Sequence, residues 1–260
     1  MIDPLMFIAL LPAVVLVVYI CRKDRTDKEP PALIAKLLGY GVLSCLPAIV
    51  VELILSAIID RLNVRNVYLG YFLEAFVVAG LTEETCKFLF LRTTWRNPAF
   101  DYQFDAIVYA VMVALGFAAF ENVKYVYSYG FATGIVRAVT AVPGHAIFGV
   151  FMGYFYGYAK LSDYWGRDDD RKAYLALSVV VPVLMHGCYD FLAFTQESDS
   201  RFTLLFYAYL VALYVFGIRR VNRSSRDDRR VTRETVFDYF RRMQYPMPPQ
   251  YRDRNDDFWR

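Results

Sequence analysis

Histidine is nearly absent from this chain, with two residues in 260, His145 and His186. Four cysteines, Cys21, Cys45, Cys86 and Cys188, form no CxxC pair. That excludes a redox dithiol motif or a cysteine-built metal module and leaves reduced packing residues. No HExxH, GxSxG or GxGD segment occurs, so the zincin, serine-elbow and aspartyl schemes lack their residues. Short alternating apolar segments are missing too, which argues against a membrane β-barrel. There is no internal repeat and no nucleic-acid signature, so no nucleic-acid partner is expected. Nothing basic precedes the first apolar run, and Asp3 stands where a cleavable signal would carry positive charge.

Apolar residues are what the chain has in excess. They make up 57% of it, against 21% charged, with mean hydropathy +0.30. Soluble domains run at about 45–50% apolar. The excess lies in stretches that approach or exceed the ~20 residues needed to cross a bilayer. Lipid offers no partner to a free backbone N–H or C=O, so each span should be a helix. The composition predicts an all-α, polytopic transmembrane bundle of about seven to eight spans. Seven can be delimited, at 4–21, 32–59, 68–91, 104–128, 133–159, 173–195 and 202–218. Short connectors make residues 1–218 one membrane domain. Residues 219–260 read as an arginine-rich tail, partly disordered, with a short amphipathic helix around Val236, Phe237, Phe240 and Met243 that suits an anionic lipid surface. Basic residues gather in alternate connectors, at Arg22, Lys23, Arg25 and Lys28, then Arg92 and Arg96, then Lys160, Arg167, Arg171 and Lys172, then the tail. The positive-inside rule then places the N-terminus outside and the tail in the cytoplasm.

Ionisable residues within these spans cost about 2.5–3.5 kcal/mol each unless they meet one another, water or an ion. Four spans carry the ones that can act together. Glu83 and Glu84 stand beside Lys87, which is four and three residues on and so projects between them. An ammonium there lets one carboxylate stay paired and leaves the other as a base. Glu121 and Asn122 form a second site, as carboxylate and amide donor for an oxyanion. His145 heads a stripe with Gly149, Gly153 and Gly157 at four-residue steps, a close-packing face that turns the imidazole toward other helices. Pro143 and Gly144 beside it can kink the helix. His186 and Asp190 are four apart, so the carboxylate can fix one ring nitrogen while the other faces inward. Glu52, Glu74, Arg137 and Lys36 read as structural.

Two chemistries fit these residues. Glu121, His145 and His186 could ligate a divalent metal such as zinc, with a carboxylate of the 83/84 pair deprotonating water. Without a metal, a Glu–His pair could activate water directly, with Asn122 or the second histidine holding the oxyanion. Both hydrolyse an acyl bond within the membrane.

Taken together, Glu83-Glu84-x-x-Lys87, Phe117-x-x-x-Glu121-Asn122, His145-x-x-x-Gly149 and His186-x-x-x-Asp190 resemble the PrsW family of intramembrane proteases, relatives of the type II CAAX prenyl endopeptidases and bacterial immunity-type membrane proteases. The match runs from about Leu81 to Asp190, with the motifs in the family's order. The resemblance implies that Glu83 or Glu84 is the catalytic carboxylate, with Glu121, His145 and His186 at the centre. The CAAX relatives carry histidine where this chain has Glu121. It also implies a membrane-anchored protein substrate, an anti-sigma factor cut at its first site. Two other readings compete with a protease. One is a transporter whose Glu/His path carries protons or divalent ions, and the other a non-catalytic scaffold of the same fold.

Overall fold

The computed structural model describes residues 3–231 and contains nine α-helical elements. The segment around Val236–Met243, expected to be amphipathic, lies outside the described residues. Helix α1 (Pro4–Lys23) is capped by Asp3, whose side chain accepts from Leu5 N, with proline in the first turn and Arg22 and Lys23 in the last. Each choice satisfies a free backbone donor or complements the helix dipole. Helix α2 (Pro31–Arg61) returns across the bundle. Asn66 caps α3 (Val67–Phe72), accepting from Tyr68 N and Leu69 N at 3.0 and 3.1 Å.

The chain does not break after α3 but changes pitch. Residues Leu73–Leu81 form a π-helical stretch that passes into α4 (Thr82–Leu91). A π-helix closes its hydrogen bonds one residue later than an α-helix, so it resets the phase of everything after it. Helix α5 (Asp105–Tyr129) runs through the centre and is buried from Asp105 to Ala118. Gly130, at φ +87°, then turns the chain into α6 (Phe131–Val139), followed by α7 (Ala141–Tyr164), α8 (Asp168–Ser198) and α9 (Arg201–Arg226).

Two expectations need correction. The fifth span is not one helix over 133–159. It divides at Thr140 (φ −124°, ψ −74°), whose hydroxyl donates to Val136 O at 2.8 Å. Pro143 causes no kink, because it sits in the first turn of α7, where a missing N–H is harmless. The span count falls at the low end of the expectation: among the described residues six helical stretches are long and apolar enough to cross, the α6–α7 pair counting as one, and the segmented run from Val67 to Leu91 is a seventh.

Glycines set the helix spacing around α5. A Cβ on Gly153 of α7 would stand 2.4 Å from Ala106 O, and one on Gly116 would stand 2.1 Å from Leu38 O of α2. These crossings are backbone against backbone, the arrangement expected where lipid gives no hydrophobic drive and packing must hold the helices. Outward faces carry Val14, Leu53, Leu204 and Val211 exposed, an apolar belt for the bilayer.

At the basic end, α9 continues through the arginines to Arg226, and residues 228–231 fold back on the start of α5. Gln103 N donates to Arg229 O at 2.7 Å and Val231 N to Asp101 O at 2.8 Å.

Candidate active site

Glu83, Glu84 and Lys87 lie on the first two turns of α4, just after the π-helical stretch. Lys87 Nζ donates to Glu83 Oε2 at 3.1 Å and to Glu84 Oε1 at 2.7 Å, the bridging its spacing predicts. Lys87 and Glu84 are fully enclosed, at 1% and 0% exposure. The ammonium also rests 4.0 Å from the centre of the Phe117 ring, whose face supports a desolvated cation.

The phase reset matters because it aims these acids at α8. Gly80 lets the π-helical stretch approach α8 so closely that an added Cβ would meet Val183 O at 3.1 Å. Gly187 answers from α8, where a Cβ would lie 2.3 Å from Phe76 Cδ1. With the elements this close, His186 Nδ1 comes to 3.0 Å from Glu84 Oε1 and 3.9 Å from Glu83 Oε2. Its Nε2 faces Asp190 Oδ2 at 3.2 Å, the pairing expected from the sequence.

His145 enters from α7. Its Nδ1 is 3.1 Å from Lys87 Nζ and its Nε2 is 2.9 Å from Glu121 Oε2. An ammonium can only donate, so Nδ1 accepts and Nε2–H donates to Glu121, which fixes the tautomer. Both imidazoles therefore turn Nδ1 toward the acidic pair and are held from behind by a carboxylate. The rings meet edge to face, with centroids 5.1 Å apart.

Glu121 stands behind His145. Arg137 Nη2, from α6, lies 2.9 Å from the same Oε2. Arg137 Nε also donates to Asn122 Oδ1 at 3.0 Å, while Asn122 Nδ2 donates to Ala9 O of α1 at 2.8 Å. Asn122 is thus fully buried between helices and is not brought to the acidic pair. Sequence reasoning left Arg137 among the structural residues. The only signal for it was its place within an apolar span, since its partners arrive from 15 and 16 residues away through the turn at Gly130.

These groups close the inner end of a cavity of ≈ 640 Å³. Glu83, His145 and His186 line it, and Glu84 does not. Its other end reaches Ser56, Glu74, Lys124, Thr133 and Gln196, at the helix ends opposite those that carry Arg22, Arg92, Arg171 and Arg220. Glu52 and Glu74, which read as structural, face the cavity, and Glu74 Oε2 accepts from Ser56 Oγ at 3.3 Å.

Donor atoms of Glu83, Glu84, His145 and His186 all lie within 4.8 Å of one another. Two imidazoles and two carboxylates are a donor set of the kind that binds a divalent metal tetrahedrally. Two further observations agree. Glu84 Oε2 is buried with no hydrogen-bond partner. With Nε2–H engaged by Asp190, the 3.0 Å approach of His186 Nδ1 to Glu84 Oε1 sets two acceptors face to face, a contact that needs a proton or a cation between them. The residues present fit a metal that takes the place of the Lys87 ammonium at His145 Nδ1, and the set that converges contains the 83/84 pair in place of Glu121.

Comparison with known proteins finds relatives of the chain. A family model described as PrsW family intramembrane metalloprotease matches residues 29–218. The chain is 34% identical over 214 residues to Protease PrsW of Bacillus subtilis (strain 168), covering 82% of this chain and 92% of the relative. It is 35% identical over 215 residues to Protease PrsW of Oceanobacillus iheyensis, covering 82% and 93%. A Clostridioides difficile protein of the same name is 28% identical over 232 residues, covering 87% and 94%. No solved structure matches.

Proposed function

The chain belongs to the PrsW family of intramembrane metalloproteases, and from that premise we propose that its Glu–His cluster hydrolyses a peptide bond of a membrane-anchored protein, with Glu83 as the base. The protein is a multi-pass membrane hydrolase. One observation carries the assignment of roles. Of the two acids that Lys87 bridges, Glu83 lines the cavity, whereas Glu84 lies behind it against Lys87 and His186.

Glu83 takes a proton from a cavity water as the water oxygen bonds to the scissile carbonyl carbon. When the C–N bond breaks, the proton passes from Glu83 to the leaving nitrogen. Lys87 keeps the neighbouring carboxylates from repelling one another, and Glu84 anchors Lys87 and His186. Glu121 and Asp190 orient the two rings, and Arg137 orients Glu121. His145, His186 and Glu84 would hold the metal, for which zinc suits the nitrogen and oxygen donors, and it would supply a Lewis acid for the carbonyl.

The substrate enters from the end opposite Arg22, Arg92, Arg171 and Arg220. With those arginines in the cytoplasm and the N-terminus outside, as the positive-inside rule directs, the cavity opens outward. An anti-sigma factor with a single span, the substrate the family resemblance implies, presents a chain to that side.

The test is cleavage of a single-pass reporter by the purified, reconstituted chain, with metal content measured on the same sample. We expect about one divalent ion per chain, loss of both ion and cleavage on chelation, and loss of the ion in His145→Ala. Cleavage that continues unchanged in chelator would overturn the metal and leave the direct Glu–His scheme.

A further inference from the structure

The end of the bundle away from the catalytic cavity holds a second, smaller cavity of ≈ 200 Å³, between the start of α5, the end of α7 and the end of α9. Arg220, Arg223 and Arg229 line it with Ser224, Tyr154 and Tyr158. Its charge is strongly unbalanced. The one acid in its wall, Asp227, lies 3.5 Å from Arg223. Among the described residues, Arg220 and Arg229 form no ion pair.

The Arg220 side chain is held in place, and the Arg229 backbone is anchored beside it. The Arg220 guanidinium stacks on the Tyr154 ring, 3.9 Å from its centre, which holds the side chain without using its N–H groups. Arg229 is fixed through its backbone. Its carbonyl accepts from Gln103 N at 2.7 Å, and its N–H donates to Asp228 Oδ1 at 2.9 Å, the same oxygen that accepts from Phe104 N. Two arginines thus line a small space in which, among the described residues, Asp227 is the one acid and is already paired with Arg223.

Position supplies the rest. Phe216 lies one turn before Arg220 on the same stripe of α9 and is 60% exposed on the lipid-facing side. The stripe therefore passes from an exposed aromatic ring to an arginine cavity across the membrane boundary. Tyrosines at that boundary are amphipathic groups that sit at headgroup level. Basic pockets between membrane helices take up anionic headgroups.

We propose that this cavity binds the phosphate of an anionic phospholipid, with Arg220 and Arg229 as the bidentate donors and the acyl chains lying along the Phe216 face of α9. The site is separate from the cleavage chemistry and stands whether or not Glu83 is the base.

The experiment is an equilibrium titration of the intact chain in detergent with dihexanoyl phosphatidylglycerol, dihexanoyl phosphatidylcholine and inorganic phosphate. Wild type is compared with Arg220→Gln, Arg229→Gln and Arg226→Gln, the last an exposed arginine on the same helix end that does not line the cavity. The thermal midpoint without lipid is measured first, so that only folded variants are compared. We expect phosphatidylglycerol to bind more tightly than phosphatidylcholine. Arg220→Gln and Arg229→Gln should each weaken it about tenfold, and Arg226→Gln should leave it near wild type. Equal weakening by Arg226→Gln would show a diffuse surface field and overturn the site. Inorganic phosphate binding as tightly as the lipid would overturn the lipid assignment, and no preference for phosphatidylglycerol would overturn both.

Discussion

Arg137 and Glu121 show how a residue without a place in the chemistry can govern it. The guanidinium fixes Glu121, Glu121 fixes the Nε2 side of His145, and Nδ1 is thereby pointed at the acidic pair. Removing such an outer partner typically costs 10–100-fold in activity or metal affinity. Arg137→Gln should therefore lower kcat/KM by about that factor and weaken metal binding in parallel, with Arg137→Lys recovering part of both. Titrating metal into the depleted variants reads this separately from cleavage. A variant with full activity and unchanged metal affinity would make the Arg137–Glu121 pair purely structural. The residues of this layer were only partly legible beforehand. Spacing along one helix showed that Lys87 bridges Glu83 and Glu84 and that Asp190 meets His186, because both pairs lie within one turn. Spacing could not show that Asn122 turns to Ala9 or that Glu121 backs His145, since those contacts depend on how α1 and α7 are placed.

Among elements, the π-helical stretch Leu73–Leu81 is the one that no periodicity announces. The sequence reads as one continuous apolar helix, and the residues before and after the stretch are ordinary helix formers. What selects the wider turn is tertiary, the approach of Gly80 and Gly187 across the α8 contact. Inserting one alanine directly after Leu81, beyond the wide turn, should rotate Glu83 and Glu84 by about one residue's turn away from His186. Deleting Val78, which lets the stretch close as an α-helix, removes one residue and the wide turn together and should leave both acids nearly in phase. The insertion should lower cleavage at least about a hundredfold, since catalysis tolerates little misplacement, and the deletion far less, while circular dichroism keeps its helical content in both. Equal loss in the two variants would mean that the stretch does not set the phase of the site. By contrast, the glycine stripe of α7 was legible from its four-residue spacing, because small residues in membrane helices have few uses other than close contact.

Taken whole, the molecule has two dissimilar ends, one opening into the Glu–His cavity and one basic. The basic end also carries acids in the connector between α1 and α2. Burial pushes the Asp24 carboxyl up to about 6 and that of Glu29 up to about 7, the latter although Tyr109 donates to it at 2.8 Å. A raised carboxyl pKa means that the folded chain holds more protons than the unfolded one between about pH 4 and 7. Stability from these groups is therefore present at low pH and is lost as pH rises through that window. Asp24→Asn with Glu29→Gln should raise the thermal midpoint at pH 8, with the advantage shrinking toward pH 4. A midpoint difference that does not vary with pH would contradict this. The α-helical membrane class, the order of the spans and the four polar segments were legible from the apolar stretches and the ionisable residues set within them. The break at Thr140 and the fold-back of residues 228–231 were not, because each depends on a contact from another part of the chain.

The central claim is that Glu83, facing the cavity beside His145 and His186, activates the water that cuts the substrate. Its most direct test is the single-turnover rate of reporter cleavage by reconstituted Glu83→Gln, a change that keeps the shape and removes the base. The rate should fall about 10²–10⁴-fold, with the thermal midpoint and bilayer insertion close to wild type. Cleavage at the wild-type rate by that folded variant would contradict it.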